Sequence, residues 1–345
     1  MHLLMTIASA IFVLGLLILV HEFGHFATAK LTGMRVDEFA IGFGPKIISK
    51  KRGETVYSLR AIPLGGFNDI AGMDPSSTDT DGRGFNDKSI PARMLVIVAG
   101  SAMNFILPIF LFFGVIFVNG NAEPSGEPIF GQVVEDFPAA QAGLQAGDRV
   151  VAIDGKPIET WMQFSDTLTA LPEDQSVVLE YERNRQRAEV TLTPVREGSR
   201  NVIGVKSQTV ITYPGFFESI GMAIERTVAF TLMMLSALID LIASPSQADV
   251  SGPIGIAQMA GQAASFGFAS LLNFAALLSL NLAIINMLPV PALDGGHFVT
   301  LLLEALRGKP LTPKALMYTQ RVGIMLMLIL MLVATKNDIV RALHL

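Results

Sequence analysis

Three stretches of this chain run for eighteen residues or more without a charge: Leu3 to Val20, Met94 to Gly120 and Phe266 to Leu293. About 20 apolar residues cross a bilayer. A backbone inside hydrocarbon must satisfy its own N–H and C=O groups, so runs of this kind fold as helices. Composition agrees: 51% of the 345 residues are hydrophobic and only 16% charged, where soluble domains carry roughly 25% charged residues. The net charge of −5 gives no basis for a nucleic-acid partner. The chain has no cysteine. Disulfides and cysteine–zinc sites are therefore excluded, and a metal would have to be held by His, Asp, Glu or water.

The pattern predicts an α-helical polytopic membrane protein with four spans, at about 3–27, 94–118, 268–290 and 315–335. Arg321, near the start of the fourth, can snorkel. The first is not read as a cleaved signal, because no Lys or Arg precedes it. Lys and Arg in short connections mark the cytoplasmic side. Segments 28–93 and 295–321 are rich in both, and the first twenty residues have none. The first span then runs inward, the second outward and the third inward. That order leaves 225–243, part of a helix expected at about 216–243 and interrupted by Asp240, lying in the interface or re-entering.

Between the first two spans, KIISKKRGETVYSLRAIPLGG reads as a cytoplasmic-side β-hairpin, about 46–62, turning at Arg52-Gly53. A polar loop comes next, at 71–90. Between the second and third spans, 124–208 has a soluble composition. IFGQVVEDF, DRVVAIDG, SVVLEYER and RAEVTLTPV read as strands and QFSDTLTAL as a helix, giving an inserted extracytoplasmic α+β domain. The division expected is a first membrane half, 1–123, the insert, 124–208, and a second membrane half, 209–345.

Chemistry enters at LVHEFGHFATA, 19–29. His21 and His25 are four apart, on one helix face, with Glu22 between them. H-E-x-x-H supplies two zinc ligands and a general base. Catalytic zinc takes three protein ligands and keeps a position for water, so a third is needed. In NMLPVPALDGGH, 286–297, Asp294 is the first charge after the uncharged run, on the same side as the histidines by the orientation argument. Pro289 and Pro291 break the helix there and Gly295-Gly296 permits an unusual turn. Asp294 is the favoured third ligand and His297 its competitor. Ionisable residues in a membrane segment mark function by default.

HEFGH in a first span, an insert whose GLQAGDRVVAIDGKPI resembles PDZ domains of bacterial proteases, and NxxPxPxLDGG in a late span together resemble the site-2 protease family. The likeness is to its regulator of sigma-E protease-like branch, and extends to GFGP (42–45), IPLGGF (62–67) and SGPIGIA (251–257). It departs from many relatives in having room for one PDZ domain and in Ser101, where relatives often have proline. The resemblance implies an intramembrane zinc metalloprotease in a bacterial inner membrane, with one Zn2+ per chain. It implies cleavage of single-span membrane proteins already cut by another protease, such as anti-sigma factors, stress regulators or remnant signal peptides.

On that reading Glu22 moves the proton, and Asn104 either stabilises the oxyanion or packs helices. Asn281 and Asn286 either position substrate or pack. An unwound substrate could add to the edge of strand 55–61, at Tyr57 and Leu59. An ion-conducting transporter gives no reason for Glu22 between zinc-spaced histidines. A catalytically silent PDZ-bearing scaffold predicts a missing ligand or base, and none is missing.

Overall fold

The computed structural model describes residues 2–73, 81–172, 174–197, 200–243 and 252–342. Residues 74–80 of the expected polar loop and Ser251 of SGPIGIA lie outside the described residues. The chain divides into two compact units, 1–119 with 215–345, and 120–214.

The first unit opens with α1 (His2–Leu31). It carries the uncharged run and continues past it through HEFGH, so both histidines stay in the regular helix. Next comes a ribbon of two strands, β1 (Val36–Arg52) and β2 (Thr55–Ile70). It is longer than the 46–62 expected and it is folded on itself. Residues 46–52 pair with 55–60 across the turn. Residues 38–41 pair with 56–59 and also with 66–69. The added length has a packing cause. Val36 and Ile70 are buried with Ala29, Met34, Val96 and Ile97 in a core shared by α1, the ribbon and the next helix. That helix is α2 (Ile90–Asn119).

The second unit holds β3 (Asn121–Pro124), β4 (Phe130–Val133), α3 (Pro138–Gln141), β5 (Arg149–Ile153), β6 (Lys156–Pro157) and α4 (Trp161–Thr169). It continues with β7 (Val177–Arg183), β8 (Gln186–Leu192), β9 (Val195–Glu197), β10 (Arg200–Val202), β11 (Val205–Ser207) and β12 (Thr209–Thr212). One sheet has the order β6-β5-β7-β8, β4 pairs with β11, and β3 pairs with β12. The last pair joins the two ends of the unit, which therefore reaches a few residues beyond 124–208 on each side. Phe130, Leu144, Ile153, Phe164 and Leu179 fill its core. Buried Asp148 takes two 2.7 Å hydrogen bonds from Arg183.

The first unit resumes with α5 (Phe216–Ala243), α6 (Pro253–Ser265), α7 (Phe268–Asn286), α8 (Asp294–Arg307) and α9 (Pro313–Ala342). Among the described residues, five helices, α1, α2, α5, α7 and α9, are long and apolar enough to cross a membrane. By length and composition α5 thus qualifies beside the four expected spans. It packs through Ala223 and Phe230 against Phe112, Ile116 and Ala276 of α2 and α7. Helices α6 and α8 were not expected from the sequence. The N-terminus of α6 is met by buried Asp338 of α9, which accepts from the backbone N–H of Gly252 and of Gly255, both at 2.9 Å.

Candidate metal centre

His21 and His25 lie near the end of α1, and Asp294 is the first residue of α8. The proline-broken stretch after α7 lets a new helix start where a continuous α7 would have carried the chain away. The three side chains meet. His25 Nε2 is 3.2 Å from His21 Nε2, and Asp294 Oδ2 is 3.4 Å from the first histidine and 3.5 Å from the second. The side chains are only 12 to 17% exposed. Among the described residues, this is the one cluster of His, Asp or Glu with ligand-atom geometry for a metal ion.

The triangle fits zinc. Bonds of about 2.05 Å to nitrogen and oxygen in a tetrahedron place the ligand atoms about 3.3 Å apart. The other ring nitrogens are engaged so as to leave Nε2 free. His25 Nδ1 donates to the Val96 carbonyl at 2.8 Å, which fixes the tautomer with its lone pair on Nε2. His21 Nδ1 is 3.3 Å from the amide of Asn104. Asn104 is fully buried, and its Oδ1 has no partner among the described residues. With the amide turned so that Oδ1 accepts from Nδ1–H, the orphaned oxygen is satisfied and His21 also presents Nε2. Ser101 Oγ donates to Asp294 Oδ2 at 3.1 Å. Close packing of α2 completes the cradle: a Cβ at Gly100 would lie 2.2 Å from His25 Nε2.

Glu22 stands beside this set and outside it. Its neighbours come from the ribbon. A Cβ at Gly66 would lie 2.8 Å from Glu22 Cγ. Asn68 Nδ2 donates to the Glu22 backbone oxygen at 2.9 Å and to its Oε2 at 2.7 Å.

The structure separates the remaining candidates. His297 lies one turn further along α8 and is not in the cluster. Asn104 is turned to His21, and one end of its amide is engaged with a ring nitrogen of the triangle. Asn281 is exposed on α7 and Asn286 half-buried at its end. Tyr57 and Leu59 are not on an edge. Tyr57 pairs with both Phe39 and Lys50, and Leu59 with both Ile41 and Ile48. Strand 55–61 is interior because β1 folds along both of its sides, and an added strand has no place there. The stretch that is paired on one side only and lies against Glu22 is 66–70. Sequence reasoning missed Asn68 and Ser101 as neighbours of the site. Only the IPLGGF motif beside Asn68, and the departure from relatives at Ser101, marked the segments that carry them.

The metal triangle, its outer partners and the apolar helices around it define a membrane metallohydrolase. The model of Peptidase family M50 matches residues 9–330, and the chain belongs to that family. A Clostridium acetobutylicum relative is 37% identical over 97% of this chain and 97% of its own. Regulator of sigma-W protease RasP of Bacillus subtilis is 31% identical over 97% of this chain and 98% of its own. Zinc metalloprotease RasP of Geobacillus kaustophilus is 32% identical over 97% of each chain. The present chain is a zinc metalloprotease with Zn2+ as its cofactor. Among solved structures, the PDZ domain of an SdrC-like protein from Listeria monocytogenes aligns with 24% of this chain and 88% of its own, at 21% identity and a TM-score of 0.22.

Proposed function

We propose that this protein is an intramembrane endopeptidase that cuts single-span membrane proteins within or near the bilayer, with His21, His25 and Asp294 as the zinc ligands and Glu22 as the general base. The observation that carries the reading is the triangle of two imidazole nitrogens and one carboxylate oxygen, with edges of 3.2 to 3.5 Å. It lies among helices long enough to span, with a second carboxylate alongside. Zinc held there supplies a Lewis acid that brings the pKa of water towards neutrality. Glu22 takes the proton from the attacking water and delivers it to the leaving amine nitrogen. Asn104 and Ser101 orient ligands, as outer partners at metal sites do.

A helical substrate hides its scissile carbonyl in its own hydrogen bonds. It has to be presented extended, and its backbone groups then need partners inside the membrane. The open side of 66–70, beside Glu22, provides them by strand addition. The substrates proposed are anti-sigma factors, stress regulators or remnant signal peptides already trimmed by another protease. The inserted unit is proposed to lie outside the cytoplasmic membrane as a PDZ-like filter, with the active site towards the cytoplasmic side.

The test compares purified wild-type protein with Glu22→Gln on a panel of single-span membrane proteins. Glu22→Gln keeps its zinc and loses at least about 100-fold in cleavage. Normal cleavage by Glu22→Gln would sink the proton-transfer role.

A further inference from the structure

Asn68 has no part in the chemistry above, yet both hydrogens of its amide go to the residue at its centre. Nδ2 lies 2.9 Å from the Glu22 backbone oxygen and 2.7 Å from Glu22 Oε2. Two acceptors facing one end of the amide fix its orientation, because the reversed amide would set oxygen against two oxygens. One bond goes to the main chain of α1 and the other to the carboxylate of the same residue. The amide therefore ties the end of a side chain with three rotatable bonds to a fixed point on its own helix. Gly66 is two residues earlier and so on the same face of the strand. It leaves the space that Glu22 Cγ occupies, since a Cβ there would approach to 2.8 Å.

Position matters here because glutamate is itself a zinc ligand and Glu22 directly follows His21. The grouped ligand atoms of His21, His25 and Asp294 all lie within 4.8 Å of one another, and Glu22 is not among them. A free carboxylate at this place can swing into the open coordination position and cease to act as a base.

We infer that Asn68 is a positioning residue for proteolysis: it holds the Glu22 carboxylate out of the metal ligand set and aimed at the attacking water. The inference rests on the reading of Glu22 as the base. A second observation separates it from a packing role. Asn68 Oδ1 is buried and has no partner among the described residues. Leucine has nearly the same shape and leaves no orphaned acceptor, so at a merely structural position it would be tolerated or stabilising.

The experiment uses the full-length protein in detergent, with Asn68→Leu, Asn68→Asp, Glu22→Gln and Asn68→Leu combined with Glu22→Gln. Turnover is measured on a single-span reporter that the wild-type protein cleaves. Each protein is also loaded with Co2+ in place of zinc, and its visible spectrum and thermal unfolding are recorded. Asn68→Leu should lower kcat by about 10- to 100-fold with KM little changed and unfolding temperature unchanged or raised. Its Co2+ spectrum should differ from wild type, and the added Glu22→Gln should remove that difference. Asn68→Asp, which keeps the shape but points an acceptor at the carboxylate, should lose at least as much activity. The double variant should be no slower than Glu22→Gln alone.

Wild-type kcat in Asn68→Leu, an unchanged Co2+ spectrum, or a further loss in the double variant would overturn the inference. Normal Asn68→Leu turnover beside an inactive Glu22→Gln protein removes only this inference. An active Glu22→Gln protein removes the base reading itself.

Discussion

His25 touches α2 on two sides, through Val96 and Gly100, and His21 touches it through Asn104. Metal affinity should therefore depend on residues that never touch the ion. Asn104→Leu should weaken zinc binding about 10- to 100-fold, measured by competition with a chromogenic chelator. Gly100→Ala adds one methyl carbon, but that carbon would lie 2.2 Å from His25 Nε2. It should abolish zinc retention even where the protein still folds. Asp294→Ala should lose zinc and cleavage together, and His297→Ala should keep both at least in part. The reverse result would transfer the third ligand to His297. At this scale the sequence was informative where chemistry demands a fixed spacing. Two histidines four positions apart, and a lone carboxylate after a long uncharged run, can be read without a structure. Asn68 and Ser101 carry no such spacing, and their partners lie 46 and 193 residues away.

Elements were legible where the bilayer sets their length. α1, α2 and α9 contain three of the four spans expected, and α7 covers the fourth as far as Asn286, because hydrocarbon thickness leaves little choice. The short helices α6 and α8 escaped notice, lying in glycine-rich or proline-bounded stretches with no such constraint. The ribbon was seen only in its distal half. Its proximal strands are defined by pairing between 36–41 and 66–70, which no local alternation reveals.

Within the ribbon, Glu38 accepts from Ser58 and Arg60 and pairs with Lys46. Burial pushes its carboxyl up, but these partners outweigh burial and hold it at about 2, below its ordinary 4.5. A depressed carboxylate stabilises the fold fully above its unfolded value and loses that contribution as pH falls through the folded one. The ribbon should hold near pH 5 and loosen between about pH 4.5 and 2, and hydrogen exchange of 36–60 amides should show it. Glu38→Gln should remove that pH dependence. Arg93 of α2 and Glu304 of α8 form a two-pronged ion pair at 2.6 and 3.1 Å, with side chains 8 and 14% exposed. It holds the helix that begins at Asp294. Glu304→Ala should cost about 3–5 kcal/mol of stability, read from thermal unfolding in detergent.

For the whole molecule, the question is how many helices cross. The chain has no cysteine, so single cysteines report sidedness cleanly. With α5 lying in the interface, an impermeant thiol reagent added outside the cell should label a cysteine at Asn184, in the turn between β7 and β8, and fail to label one at Lys309. Labelling at Lys309 from outside would make α5 a crossing helix and invert the proposed sidedness of α7, α8 and α9.

The metal triangle also has a consequence in time. His21 and His25 are made early, and Asp294 arrives only when most of the chain has been synthesised. During synthesis the nascent protein shares the membrane with other newly inserted helices while its own site is still open on one side. Two histidines alone hold zinc poorly. With the proposed ligand set, a half-made copy should therefore be unarmed, its cutting power beginning only once the late helix docks on the early ones.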